Sequence, residues 1–190
     1  MGNLEALKAK ASLIAEKIVE AAESRKRILI IGHIDADGIS SASLIAYALR
    51  CLEAPYNIRI LNDLTPIVLE KIKGEDYDLY VLCELGGGML KLLENYLGSR
   101  WVLIDHHQVP EEELTHPSIL NAWCYGFDGG IDACASTLAY FVSLTIDHSL
   151  KNFSWLPVVA ALADKQDQGE RRSLVGANKV VLEVAKDAGL

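Results

Sequence analysis

Three apolar runs in this chain each lead directly into residues of the kinds that bind metal ions. The run at 28–31 precedes His33, Asp35 and Asp37, the run at 79–83 precedes Glu84, and the run at 102–104 precedes Asp105, His106 and His107. Short, largely β-branched apolar runs are typical of strands buried on both faces of a parallel sheet. The carboxyl ends of such strands meet at one edge, where open α/β sheets bind ligands. The pattern therefore predicts that carboxylates and imidazoles from three strand ends share one crevice.

Carboxylates gathered in one crevice repel one another, and the arrangement is costly unless cations occupy it. We interpret the pattern as a two-metal site. Two metals about 3.5 to 4 Å apart need a carboxylate that touches both, and Glu84 is the natural bridging candidate. Mixed imidazole and carboxylate ligands suit Mn²⁺ better than Mg²⁺, which prefers oxygen ligands. The prediction is two Mn²⁺ ions, with Mg²⁺ as the alternative.

The order of apolar runs and helical segments predicts an α/β fold. Helical spacing of apolar residues predicts a first helix over 3–24. Strands are predicted at 28–31, 57–61, 79–83, 101–104 and 118–121, with helices over 40–52, 65–73 and 89–97. Three more helices are predicted over 133–146, 155–165 and 174–188. We expect a parallel five-stranded sheet flanked by helices, followed by a helical C-terminal third.

Length and charge limit the class of protein. With 190 residues, 51% of them hydrophobic and 23% charged, the chain is expected to form one globular domain over residues 1–190. The net charge of −8 argues against a broad basic surface for nucleic acid, although metal ions in the crevice would still attract a phosphate. No apolar run approaches the roughly 20 residues that cross a bilayer. We expect a cytoplasmic protein without a membrane partner.

Individual ligand candidates follow from spacing. His33, Asp35 and Asp37 are predicted to alternate along a short extended segment, which points all three side chains to one side. In the Asp105-His106-His107 cluster, consecutive side chains point in different directions, so one imidazole can bind metal while the other faces substrate. Asp164, after the segment 158–163, is either a ligand of the second metal or a helix surface residue, and Asp167 competes with it.

Four motifs in order carry a resemblance to a known family. They are H-I-D-A-D-G at 33–38, I-D-H-H-Q at 104–108, the N-x-x-x-x-G-F-D-G stretch at 121–129 and A-D-K-Q-D at 163–167. Together they resemble the DHH phosphoesterase superfamily, specifically its archaeal RecJ-like branch, over about residues 28–189.

The resemblance implies hydrolysis of phosphodiester bonds with two Mn²⁺ ions. By matching position, His33 and Asp35 would bind the first metal, and Asp37, His106 and Asp164 the second, with Glu84 between them. Asp105 would ligate or orient the first-metal side, and His107 would face the scissile phosphate.

The chain also departs from the family pattern. Relatives usually carry aspartate at the position of Glu84 and glycine at that of Ala163. The added methylene of glutamate displaces its carboxylate, and displaced ligands reduce activity. The second, DHH-associated domain of RecJ-like nucleases is expected to be absent from these residues.

Two function hypotheses remain open from the sequence. The first is a Mn²⁺-dependent exonuclease of DNA replication or repair that acts on single-stranded nucleic acid or short oligonucleotides. The alternative is a catalytically weak or inactive RecJ-like scaffold that binds GINS-type proteins at the replicative helicase. Glu84 and the acidic charge favour the scaffold, whereas the retention of the remaining ligands favours the enzyme.

Overall fold

The computed structural model describes residues 2–189 and confirms the predicted α/β class. The strands are β1 (Ile28–His33), β2 (Tyr56–Leu61), β3 (Leu79–Cys83), β4 (Trp101–Asp105) and β5 (Ile119–Asn121). The α-helices of the described residues are α1 (Leu4–Glu23), α2 (Ala36–Cys51), α3 (Pro66–Lys73), α4 (Leu90–Leu97), α5 (Glu111–Leu114), α6 (Ala135–Ile146), α7 (Trp155–Ala163) and α8 (Gly176–Asp187). Short 3-10 helices lie at Ala122–Tyr125, His148–Phe153 and Glu170–Arg172.

All five strands are parallel, in the order β2-β1-β3-β4-β5. The chain moves from β1 outward to β2 and then returns to the other side of β1 to form β3. The direction of strand order therefore reverses between β1 and β3, and open α/β sheets bind ligands at such a switch point. His33 ends β1 and Glu84 directly follows β3, so both residues lie beside this position.

Alternate residues of each buried strand contribute to opposite faces of the sheet. In β1, Ile28 and Ile30 belong to a large core that also includes residues of α1, α2 and α6. Leu29 and Ile31 belong to the other core, which includes residues of α3 and α4. Because both faces are covered, β1, β3 and β4 consist almost entirely of buried residues, as the continuous apolar runs predicted.

The C-terminal third is helical, also as predicted. Helix α6 packs against α1 and α2, and α7 and α8 contact each other and α6. The residues from Ala135 to Ser143 in α6 are all buried, which makes this helix a central part of the core. Among the helices that the structure describes, none combines the length and the apolar character needed to cross a bilayer.

The start of α2 differs from the prediction. The sequence interpretation began this helix at residue 40, but it begins at Ala36, so Asp37 lies in the first helical turn. Asp35 is the N-cap residue, and its side chain accepts a hydrogen bond from the Gly38 N–H at 2.9 Å. The predicted alternation of Asp35 and Asp37 along an extended segment is therefore wrong.

A buried glutamate holds the glycine-rich loop that follows Glu84. The carboxylate of Glu113 accepts hydrogen bonds from the backbone N–H groups of Gly88 at 3.0 Å and Leu90 at 3.1 Å. Leu90 is the first residue of α4, whose N-cap residue supplies no side-chain hydrogen bond of its own. Glu113 thus satisfies donors at the start of α4 that would otherwise lack a partner.

We predict that Glu113→Ala lowers the free energy of unfolding by about 1–3 kcal/mol, because it leaves the partly buried N–H groups at the start of α4 unsatisfied. Glu112→Ala is the matched control, since Glu112 is exposed on the same short helix, and it should change stability by less than about 0.5 kcal/mol. Urea denaturation of both variants measures the difference. Equal stability of the two variants would contradict a capping role for Glu113.

Candidate metal centre

The candidate site lies at the carboxyl edge of the sheet and draws on separate parts of the chain. Its principal residues come from the end of β1, the first turn of α2, the ends of β3 and β4, and the end of α7. In that order they are His33, Asp37, Glu84, His106 and Asp164. The structure therefore brings together residues that the sequence only placed near strand and helix ends.

The possible ligands form three overlapping groups, in each of which one ligand atom per residue lies within 4.8 Å of the others. The groups are His33 with Asp35 and Glu84, then Asp37 with Glu84, His106 and Asp164, and finally Glu84 with His106 and His107. Glu84 is common to all three groups. Asp105 belongs to none of them among the described residues.

Glu84 connects the first two groups through its two carboxylate oxygens. Oε2 lies 3.4 Å from His33 Nδ1, and Oε1 lies 3.8 Å from His106 Nε2. The residue has a left-handed backbone with φ of 61°, which is uncommon for a residue with a side chain and occurs often at functional sites. From this backbone position the glutamate side chain reaches both groups.

His106 presents one ring nitrogen to the carboxylates and uses the other to bind the backbone. Nδ1 lies 2.6 Å from the carbonyl oxygen of Gly129, so Nδ1–H donates to it. Nε2 lies 3.6 Å from Asp37 Oδ2 and 3.5 Å from Asp164 Oδ2. Metal-binding histidines use one ring nitrogen in this way while the other donates to a carbonyl or carboxylate.

Three buried polar atoms of the site have no hydrogen-bond partner: His33 Nδ1, Glu84 Oε2 and His106 Nε2. His33 Nδ1 lies 2.8 Å from Asp35 Oδ2 but makes no hydrogen bond of good geometry. Buried polar atoms are normally paired, and unpaired ones in a native structure indicate a functional group or a bound ion. Nitrogen and carboxylate donors of this kind fit divalent cations such as Mn²⁺.

The electrostatics of the site favour a bound positive charge. Burial and the nearby charge of Asp37 raise the pKa of Asp164 to about 6. Burial likewise raises the pKa of Glu84, and Asp35 and Asp37 add to the shift. Burial alone would lower the pKa of His106, but the adjacent carboxylates of Glu84 and Asp37 raise it to about 9. Glu84 and Asp164 hold protons more strongly than usual mainly because they are buried, and His106 does so because it lies among carboxylates.

Asp37 serves the fold as well as the site. It is fully buried, and its two oxygens accept hydrogen bonds from the N–H groups of Ala135 and Ser136, each at 2.7 Å. These are the first residues of α6, where unpaired N–H groups and the helix dipole favour a negative charge. The position of Asp37 is therefore set jointly by α2 and α6.

Asp105 is occupied by hydrogen bonds within the protein. Oδ1 accepts from His107 Nδ1 at 2.8 Å and from the backbone N–H of His106 at 2.7 Å, and Oδ2 accepts from the Gly87 N–H at 2.9 Å. Burial would raise the pKa of Asp105, but the hydrogen bond from His107 and its charge hold it below its usual value. Of the two predicted roles, this arrangement favours orientation of His107 over metal ligation.

The structure distinguishes the two C-terminal aspartates. Asp164 is the C-cap residue of α7 and lies against His106. Asp167 instead pairs with Arg172, with Oδ2 2.6 Å from Nε. Asp164 thus reaches the cluster, and Asp167 belongs to none of the ligand groups in residues 2–189.

Sequence reasoning missed two residues that contact the site from behind. Gln166 and Asn178 are both 1% exposed and hydrogen-bonded to each other, with Asn178 Nδ2 donating to Gln166 Oε1 at 2.7 Å. Gln166 also donates to the Gly129 carbonyl that receives His106 Nδ1–H. Gln166 stands in the A-D-K-Q-D motif at 163–167, but the motif assigned it no role, and Asn178 lies outside the four motifs. Both contacts depend on the tertiary fold.

The structure belongs to the class of open parallel α/β sheets that carry carboxylate and imidazole side chains at the switch point of the strand order. The chain belongs to the DHH family: residues 27–163 match the model of the family's N-terminal domain. The matched segment contains every predicted site residue except Asp164, which follows it directly.

Known relatives are longer than this chain. An uncharacterised protein of Methanocaldococcus jannaschii is 25% identical over 166 residues, which cover 84% of this chain and 37% of the relative. The structure of RecJ in complex with Mn²⁺ from Thermus thermophilus matches with a TM-score of 0.73 and 20% identity, over 93% of this chain and 26% of that one. CDC45 from Entamoeba histolytica matches with a TM-score of 0.65 and 12% identity, over 93% of this chain and 38% of that one.

We predict that Mn²⁺ stabilises the protein and that Asp164→Asn removes most of this effect. A ligand at about 100 times its Kd adds about 2.7 kcal/mol to the stability of the folded state. Asp167→Asn is the matched control and should keep the full Mn²⁺-induced rise in Tm, measured by calorimetry against chelator. Without metal, Asp164→Asn should raise Tm, because it removes a carboxylate whose pKa is raised by burial and by the charge of Asp37. A full Mn²⁺ response in Asp164→Asn would contradict its assignment as a ligand.

The Mn²⁺-induced rise in Tm should increase with pH. The raised pKa values of Asp164 and His106 mean that bound protons stabilise the metal-free fold at low pH, and that this contribution is lost as pH rises through about 6 and about 9. Metal ions replace these protons, so the rise in Tm should be larger at about pH 8 than at about pH 5.5. A metal response that is independent of pH would argue against these ligands.

Proposed function

We propose that this protein hydrolyses phosphodiester bonds with two divalent cations, in the manner of RecJ-like exonucleases. The observation that carries the proposal is the position of Glu84, whose two oxygens face two separate groups of possible ligands. A two-metal centre requires such a shared carboxylate. A purely structural carboxylate would instead find hydrogen-bond donors, as Asp105 and Glu113 do.

In this proposal the cations are two Mn²⁺ ions, with Mg²⁺ as a possible substitute. His33 and Asp35 would hold the first ion, Asp37, His106 and Asp164 would hold the second, and Glu84 would serve both. Bound divalent cations stabilise negative charge on the attacking and leaving oxygens of a phosphodiester. The imidazole nitrogens of His33 and His106 support the preference for Mn²⁺. The RecJ of Thermus thermophilus was solved with Mn²⁺ and also with Mg²⁺, in keeping with Mg²⁺ as a substitute.

His107 is the proposed contact to the scissile phosphate. Its Nδ1 is held by the buried carboxylate of Asp105 at 2.8 Å, whereas its side chain is 56% exposed. This hydrogen bond raises the pKa of His107, so the ring tends to carry a proton. A protonated ring can donate from Nε2 to a phosphate oxygen while Asp105 fixes its orientation. Asp105 and His107 therefore act together, beside the ligands.

The proposed substrate is single-stranded nucleic acid or a short oligonucleotide. With a net charge of −8, the chain offers little general attraction for a polyanion. Recognition therefore depends on the local charge of the metal centre and on His107. An exonuclease role in DNA replication or repair and a cytoplasmic location follow as parts of the same proposal.

We predict that His106→Ala lowers Mn²⁺-dependent release of nucleotides from single-stranded substrate by about 1,000-fold, equivalent to about 4 kcal/mol of transition-state stabilisation. His148→Ala is the matched control, since His148 is exposed and belongs to none of the ligand groups, and it should retain full activity. Activity of His106→Ala equal to that of the control would contradict a hydrolytic role for this centre.

The fold likeness to CDC45 supports a second candidate function, a RecJ-like scaffold that binds GINS-type proteins at the replicative helicase. In that case the wild-type chain would bind GINS-type proteins equally well with Mn²⁺ or chelator, and would release no nucleotide under either condition. Light scattering of the mixed proteins, with a nuclease assay on the same sample, separates the two functions. The reach of Glu84 to both ligand groups favours the enzyme.

A further inference from the structure

Two buried amide side chains, Gln166 and Asn178, lie between the metal ligands and the C-terminal helices. Both are 1% exposed, and both lie outside the segment 27–163 that matches the family model. Burial of an amide is unfavourable unless its donors and acceptors are paired. The hydrogen bonds of these two side chains connect the backbone directly before α6 with the Gly129 carbonyl, which also contacts His106.

Backbone groups fix the orientation of the Asn178 amide. Its Oδ1 accepts from the backbone N–H of Cys134 at 3.2 Å, and its Nδ2 donates to the carbonyl of Ile131 at 3.3 Å. A backbone N–H can only donate and a carbonyl can only accept, so the amide cannot be reversed without loss of both bonds. Oδ1 also accepts from Thr137 Oγ1 at 2.7 Å, which completes its hydrogen bonding.

The orientation of Asn178 then determines that of Gln166. Asn178 Nδ2 donates to Gln166 Oε1 at 2.7 Å, which turns Gln166 Nε2 toward the Gly129 carbonyl at 2.9 Å. The same carbonyl oxygen lies 2.6 Å from His106 Nδ1. An unprotonated Nδ1 would place its lone pair against that oxygen, so Nδ1 carries the proton. The Nε2 lone pair of neutral His106 is therefore left for a cation.

Asn178 also acts on the second ligand, Asp37, through α6. Cys134 is the N-cap residue of this helix, and its side chain makes no capping hydrogen bond. The carbonyl side of Asn178 binds the N–H of Cys134, directly before the two residues whose N–H groups bind Asp37. One side chain on α8 thus contacts the supports of two ligands that are 69 positions apart in the sequence (37 and 106).

We propose that Gln166 and Asn178 are positioning residues that fix the tautomer and ring orientation of His106 and hold the start of α6 against Asp37. The inference rests on the proposed metal-dependent function and deepens it. Residues that support metal ligands in this way change metal affinity by about 10- to 100-fold when they are replaced. Gln166 and Asn178 act through the ligands and bind no metal.

The test is the Mn²⁺ affinity of Gln166→Met, measured by isothermal titration calorimetry. Methionine preserves the approximate size of glutamine and removes its hydrogen bonds, and we expect affinity to fall by about 10- to 100-fold. Val181→Ala is the matched control: Val181 is buried on α8, one turn beyond Asn178, and belongs to the apolar core. It should lower Tm and leave Mn²⁺ affinity unchanged. Asn178→Ala provides a second variant and should weaken Mn²⁺ binding at least as much as Gln166→Met.

A double-mutant cycle with His106→Ala tests whether Gln166 acts through His106. Residues that act as a unit are not additive, so Gln166→Met should cause no further loss of affinity in the His106→Ala background. Wild-type affinity in Gln166→Met, or a loss that Val181→Ala matches, would overturn the proposal and leave the metal-dependent function standing. Absence of Mn²⁺ binding by the wild-type protein would instead overturn the proposed function itself.

Discussion

The crowding of negative charge at one edge of the sheet is the constraint on which the site depends. Asp37, Glu84 and Asp164 lie around His106, largely shielded from water. Charges placed so close in a partly buried crevice repel strongly. Burial raises the pKa values of Glu84 and Asp164, and the neighbouring carboxylates add to the shift. Folding must supply the free energy that brings them together, and bound cations remove the repulsion. The arrangement fits a centre that holds positive charge.

Several carboxylates of the site also stabilise the fold, because they accept hydrogen bonds from backbone N–H groups. Asp35 caps α2, Asp37 binds the first N–H groups of α6, and Asp105 holds the glycine loop after β3. Each carboxylate has hydrogen-bond partners in the protein that would be unpaired without it. Glu84 differs, because it has a left-handed backbone and an oxygen without a hydrogen-bond partner. This residue is the part of the site that the fold alone does not explain.

The sequence predicted the sheet and the general position of the site because both depend on local patterns. Continuous apolar runs identified β1, β3 and β4, and their polar C-terminal neighbours identified His33, Glu84 and His106. The start of α2 was misplaced because the segment from His33 to Asp37 was interpreted as extended, although Asp35 is a strong N-cap residue. Gln166 and Asn178 could not be predicted, since their partners at positions 129 and 134 are brought to them only by the tertiary fold.

Anomalous diffraction at the manganese absorption edge, from crystals soaked in MnCl₂, tests the central claim most directly. The account predicts two peaks on either side of the Glu84 carboxylate, one beside His33 and Asp35 and the other beside Asp37, His106 and Asp164. Crystals that show no manganese between these side chains, or a peak that lacks contact with Glu84, would contradict a two-metal centre.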